Sequence, residues 1–191
     1  MLKQVIIALI ALVLPSTAFT QNNYSVDKNH SRLAFTATHF AISEVEGNFK
    51  SFNVTLKSDK EDFTDAFIYM TADTKSIDTD VEKRDQDLRS ADWLNVEKFP
   101  RLEFKSTAFR KVGDKTYRLE GNITIRGVTK PIVFDVVYNG KALNPMSKKS
   151  SVGFTVKGKL NRKDFGVGTD AFETVVGKEV ELKANVEFVM N

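Results

Sequence analysis

The sequence predicts an all-β single domain, a barrel or sandwich of about eight strands with one short helical insertion. Three observations predict it. Apolar and polar residues alternate through most of the chain from Leu33 to Phe188, and a period of two marks strands because successive side chains point to opposite faces. Turn-forming residues separate the alternating runs. The stretch from Ser76 to Lys98 alone loses the alternation and becomes charged, with Val81, Leu88, Ala91, Trp93 and Leu94 at spacings that suit short helical turns.

The first element is an export signal. Lys3 is followed by the apolar run Val5 to Leu14, then by the small residues of Pro15-Ser16-Thr17-Ala18. This is the pattern of a cleaved secretory peptide over residues 1–18, with a cut after Thr20 as the alternative to one after Ala18. The run is shorter than the roughly 20 residues that span a bilayer. Residues 19–191 are then one domain, exported to the periplasm and without a stable membrane span.

The first strand places Leu33, Phe35, Ala37 and His39 on one face. Val45, Gly47 and Phe49 follow, then Phe52, Val54 and Leu56 after a change of phase near Ser51 that predicts a bulge or kink. Phe67 to Ala72 and Leu102 to Ser106 are further runs. Tyr117 to Ile125 and Ile132 to Tyr138 form a hairpin turning at Arg126-Gly127-Val128-Thr129, with Pro131 where its second strand begins. Val152 to Leu160 and Val180 to Phe188 complete the set.

Composition removes several function classes. With no cysteine the chain has neither disulfides nor a thiolate, and must fold on its own core. The net charge of +3 is spread along the sequence, unlike the clustered basic surface that nucleic acid requires. Two histidines in no ligand spacing give no metal site. Phe165-Gly166-Val167-Gly168 lacks the lysine and hydroxyl of a phosphate loop.

Several segments together resemble one family, the YceI-like proteins. They are Val26-Asp27-Lys28-Asn29-His30-Ser31 with Phe35 and His39; Ser76-Ile77-Asp78-Thr79 into Glu82-Lys83-Arg84-Asp85 and Leu88-Arg89-Ser90-Ala91-Asp92; and Phe99-Pro100 with Phe104. Gly121 to Pro131, Asn161 to Val167 and Val176 to Val180 continue the series. The resemblance runs from Tyr24 to about Phe188. It implies a lipocalin-like fold, an extended eight-stranded antiparallel barrel with the insertion at about residues 76–98. It also implies a periplasmic carrier for a long isoprenoid lipid, a polyprenyl diphosphate or a quinone, as cargo rather than cofactor.

The apolar strand faces then supply the pore lining: Leu33, Phe35, Ala37, His39, Phe49, Phe104, Ile123, Ile125, Phe134, Phe154 and Phe188. Each is equally readable as an ordinary core residue. Arg84, Arg89, Arg126 and Lys130 are the cations that could meet a diphosphate, since guanidinium suits phosphate geometry; the competing reading is that they are solvated or ion-paired. No nucleophile, oxyanion motif or cofactor signature marks an enzyme. His39 reads either as a hydrogen-bonded core residue or as a contact for a polar head group at the pore mouth. Two alternatives stand beside lipid carriage: an enzyme or isomerase on a small hydrophobic substrate with His39 as general base, and a ligand-free envelope stress protein. Homodimerisation is left open.

Overall fold

The computed structural model describes residues 22–191; the expected signal segment and its cleavage site lie outside them. The strands are β1 (Asn23–Val26), β2 (Arg32–His39), β3 (Ser43–Phe49), β4 (Phe52–Lys57), β5 (Phe67–Asp73), β6 (Ile77–Asp78), β7 (Arg101–Lys111), β8 (Thr116–Ile125), β9 (Val128–Leu143), β10 (Ser150–Asn161) and β11 (Val176–Met190). One helix, α1 (Glu82–Arg89), lies between β6 and β7.

Eight strands close a ring in the order β1-β4-β5-β7-β8-β9-β10-β11. Closure depends on β1, four residues long, where Tyr24 stands opposite Leu56 of β4 on one side and Met190 of β11 on the other. The barrel then extends beyond the ring along one wall. β11 continues past β1 to pair with β2, with Leu182 opposite Phe35, and β2 pairs with β3, which pairs with β6. Thus β2, β3 and β6 prolong the lines of β1, β4 and β5 across kinks.

The phase change near Ser51 is one of those kinks. Its backbone groups are satisfied across the break: Ser51 N–H donates to Ser76 Oγ, Lys50 N–H to the Ser76 carbonyl and Asp73 N–H to the Ser51 carbonyl. The bend therefore leaves none of these amides unpaired, which is how a long strand can change direction inside a barrel.

The hairpin turn is tighter than expected. Only Arg126 and Gly127 turn the chain, both with positive φ (50° and 74°), the requirement of a two-residue hairpin that matches strand twist. Pro131 consequently lies inside β9, in the stretch before Asp135 that pairs with β8 but not β10, so one side of the strand there needs no donor. The insertion contains one helix of eight residues and a 3-10 turn at Thr74–Ser76, with irregular chain from Ser90 to Pro100.

Connections alternate between two ends. One end carries the loop from Ser58 to Ala66, the turn after Lys111 and the turn after Leu143; the other carries the β2–β3 and β8–β9 turns, α1 with its flanks, and residues 162–175.

Candidate functional site

A cavity of about 660 Å³ runs along the barrel axis. That is within the range of small-molecule sites, roughly 300–1,000 Å³. Its wall is apolar along most of its length, and the physical question is why the ten phenylalanines that border it do not simply fill it. Glycines on the inward face supply part of the answer. A Cβ on Gly121 would lie 2.5 Å from the Phe104 ring, and one on Gly158 would lie 2.5 Å from Cδ1 of Phe134. With hydrogen there instead, both rings lie against the neighbouring strand. Phe104 and Phe134 then meet edge to face at 5.4 Å, a favoured aromatic geometry.

One end is stopped by aromatic rings. The Ser58–Ala66 loop turns Phe63 inward, where it is 3 % exposed and its centroid lies 5.9, 5.7 and 5.3 Å from Tyr24, Tyr138 and Phe154. Phe109 stacks on Tyr117 at 4.7 Å beside them. Burial pushes the Tyr24, Tyr117 and Tyr138 phenols above the ordinary tyrosine pKa.

Asp65 organises this loop. Its carboxylate accepts from the Ser58 hydroxyl at 2.6 Å and from the Asp59 and Lys60 N–H groups. Desolvation works to raise its pKa, but these hydrogen bonds outweigh it and hold the carboxyl below the usual range.

The other end is open. The β2–β3 turn stands there with Phe40 at 54 % and Ile42 at 86 % exposure. Phe40 and Ala41 have φ of 50° and 56°, conformations that favour glycine or asparagine. Phe40 N–H donates to the carbonyl of Val175, a cavity residue. Across the opening Trp93 and Phe172 pack at 5.2 Å.

Every residue of the expected pore lining, from Leu33 through Phe188, borders this cavity. The expected cations divide. Arg84 lines it, with Nε and Nη2 donating to Oγ1 and the carbonyl of Thr79. Arg89, Arg126 and Lys130 do not. Arg89 donates to the carbonyls of Lys75 and Ile77 and reaches Glu82, while Arg126 donates to the Trp93 carbonyl. They fasten the insertion to its surroundings and lie outside the cavity lining. Lys130 sits beside Pro131 in a separate groove between β9 and β10 that shares the wall residues Ile123, Leu160 and Phe165 with the cavity.

His39 is half-buried at the opening with its ring 4.3 Å from that of Phe40. Among the described residues no carboxylate is hydrogen-bonded to it, so the dyad needed by a general-base reading is not formed. His30 is remote from the cavity and bonded to Asp27 at 2.9 Å, an interaction that raises its pKa and lowers that of Asp27.

Sequence reasoning missed Arg162. It follows β10 directly, is 3 % exposed and borders the cavity. Its Nε, Nη1 and Nη2 donate to the carbonyls of Gly177, Val167 and Val176 at 2.9, 2.7 and 2.8 Å. Its Cζ lies 5.4 Å from the Trp93 ring. Gly168 makes room for both: its φ is 75°, and a Cβ there would lie 2.5 Å from Arg162 Nη1 and 3.1 Å from Trp93. Burial lowers the Arg162 pKa.

Comparison with known proteins agrees with this geometry. The YceI-like domain family matches residues 24–188. A protein of Salmonella newport (strain SL254) named Protein YceI is 36% identical over 188 residues, covering 95% of this chain and 96% of that one. The crystal structure of BcnA from Burkholderia cenocepacia superposes with a TM-score of 0.77 at 23% identity, over 85% of this chain and 98% of that one. A domain from Saccharophagus degradans, described as a polyisoprenoid binding domain implicated in plant cell wall breakdown, superposes with a TM-score of 0.67 at 12% identity, over 88% and 98% of the two chains.

Proposed function

The chain belongs to the YceI-like family, and from that premise we propose that it is a periplasmic carrier that holds the chain of an isoprenoid lipid, not an enzyme. The observation that carries the proposal is the cavity itself, about 660 Å³, apolar along its wall, stopped by Phe63 at one end and open at the other. Such a shape suits a long apolar chain with one end near water. Each methylene moved from water into it contributes roughly 0.8 kcal/mol, so a chain of many carbons binds without any catalytic group. The description of the Saccharophagus degradans domain as polyisoprenoid-binding supports an isoprenoid over other lipids.

Mass spectrometry of an organic extract tests this directly, using protein purified without detergent from the envelope of cells that export it. A polyprenyl or prenylquinone species at about one per protein supports the reading. A clean extract from folded protein overturns it in favour of a ligand-free role.

A further inference from the structure

Arg162 poses an electrostatic problem that the fold alone does not solve. A guanidinium at 3 % exposure has lost most of its hydration, and charges withdrawn from water are ordinarily paired with an opposite charge. Among the described residues no carboxylate oxygen lies within 4.0 Å of it. The acidic side chains bordering the same opening, Asp87 and Asp92, are exposed and make no ion pair with it. Glu173 is the carboxylate whose field reaches it, but Glu173 is shared by Lys163 at 3.7 Å and Lys178 at 3.2 Å.

The donor count leaves capacity. A guanidinium carries five N–H groups, and the three carbonyls take one from each nitrogen. One N–H remains on Nη1 and one on Nη2. The three carbonyls and the Trp93 face hold the group in place, so little side-chain entropy is lost when it binds something. Its position beside Trp93 and Phe172 is at the open end, where the polar end of a lipid would rest if its chain points toward Phe63.

We propose that Arg162 is the head-group anchor of the cavity, and that the preferred ligand ends in an oxyanion, a phosphate or a carboxylate, which supplies the counter-charge the protein withholds. This rests on the lipid-carrier reading and adds a chemical class to it. A neutral alcohol would accept a hydrogen bond but leave the charge unbalanced. Arg84 lies on the same cavity, but it is half-buried and so less dependent on a ligand for its charge.

The test compares farnesyl phosphate, farnesol and inorganic phosphate by calorimetry on delipidated full-length mature protein. A buried charge-assisted hydrogen bond contributes enough that farnesyl phosphate should bind at least about tenfold more tightly than farnesol. Arg162→Gln should reduce the preference to within about threefold, and Arg162→Lys should retain part of it. Inorganic phosphate alone should not bind measurably, which separates a lipid head group from a free-anion site. Should Arg162→Gln not fold, the side-chain ¹⁵N–¹H signals of Arg162 in the unaltered protein should move with farnesyl phosphate and not with farnesol.

Equal affinity for the two lipids in the unaltered protein overturns the anchor while leaving the carrier intact. A preference that survives Arg162→Gln, or Arg162 signals unmoved by farnesyl phosphate, overturns it too, as does tight binding of inorganic phosphate alone. Failure of both lipids to bind overturns the carrier reading as well.

Discussion

At one end of the barrel Phe63 is 3 % exposed and ringed by Tyr24, Tyr138 and Phe154, whereas at the other Phe40 is 54 % and Ile42 86 % exposed. Both ends carry apolar side chains on loops with positive φ, 57° at Phe63 and 50° at Phe40. The difference is in what each loop meets. The Ser58–Ala66 loop is long enough to fold back over the strand ends, and Asp65 binds its backbone so that Phe63 is directed inward. The β2–β3 turn is too short to fold back, and its side chains stand at the rim. Hydrophobicity alone therefore does not decide whether a residue closes a barrel; loop length and polar anchoring do.

That contrast is open to mutation, and the largest effect is expected at the stopper. Phe63→Ala should cost about 3–5 kcal/mol in urea unfolding, as for other buried aromatic truncations, whereas Ile42→Ser should stay within about 0.5 kcal/mol. Similar costs at the two sites would dissolve the distinction between the ends.

Next comes the wall between them. Gly158→Ala should push the Phe134 ring into the cavity, at about 1–3 kcal/mol of stability and with weaker lipid binding, readable by denaturation and by displacement of a bound fluorescent lipid. Stability lost without any change in binding would show that the ring moved elsewhere.

The turn at the mouth should respond in the opposite sense. Ala41→Gly relieves a left-handed backbone and should stabilise by up to about 1 kcal/mol, seen as a raised urea midpoint.

The smallest effect is a pH dependence at the closed end. Asp65 has a depressed pKa when folded, so its stabilising contribution is present above the unfolded value of about 3.9 and is lost as pH falls through the folded one. The urea midpoint should decline with acid more steeply in the unaltered protein than in Asp65→Asn, and equal slopes would remove Asp65 from the account.

The strands and their apolar faces were legible because both rest on a local signal, the alternation along single strands, whereas a barrel rather than a sandwich was implied only by the family resemblance. The residues on one face of Leu33 to His39 and of Thr116 to Ile125 had to share an interior once those strands closed. The closing strand β1 was not legible: four residues are too few to show a period, and their role depends on pairing with residues 55–57 on one side and 188–190 on the other. The places of two of the four cations were not legible for a related reason. Arg89 and Arg126 are satisfied by carbonyls 14 and 33 positions away, which no spacing rule reveals. Arg162 was given no role, because burial of an arginine among backbone carbonyls leaves no trace in composition. Its neighbours Gly166 and Gly168, both with positive φ, were visible only as a turn.

The orientation of the cargo tests the central claim most directly. Two forms of one long-chain acid, spin-labelled near the head or near the tail, can be bound to isotope-labelled protein and their line broadening compared. A chain held along the axis with its head at the open end should broaden Phe63, Tyr138 and Phe154 from the tail label and Phe40, Ile42 and Phe172 from the head label. The reverse pattern, or broadening confined to outward-facing residues such as Val133 and Val137, would contradict a cavity that opens at one end and is stopped at the other.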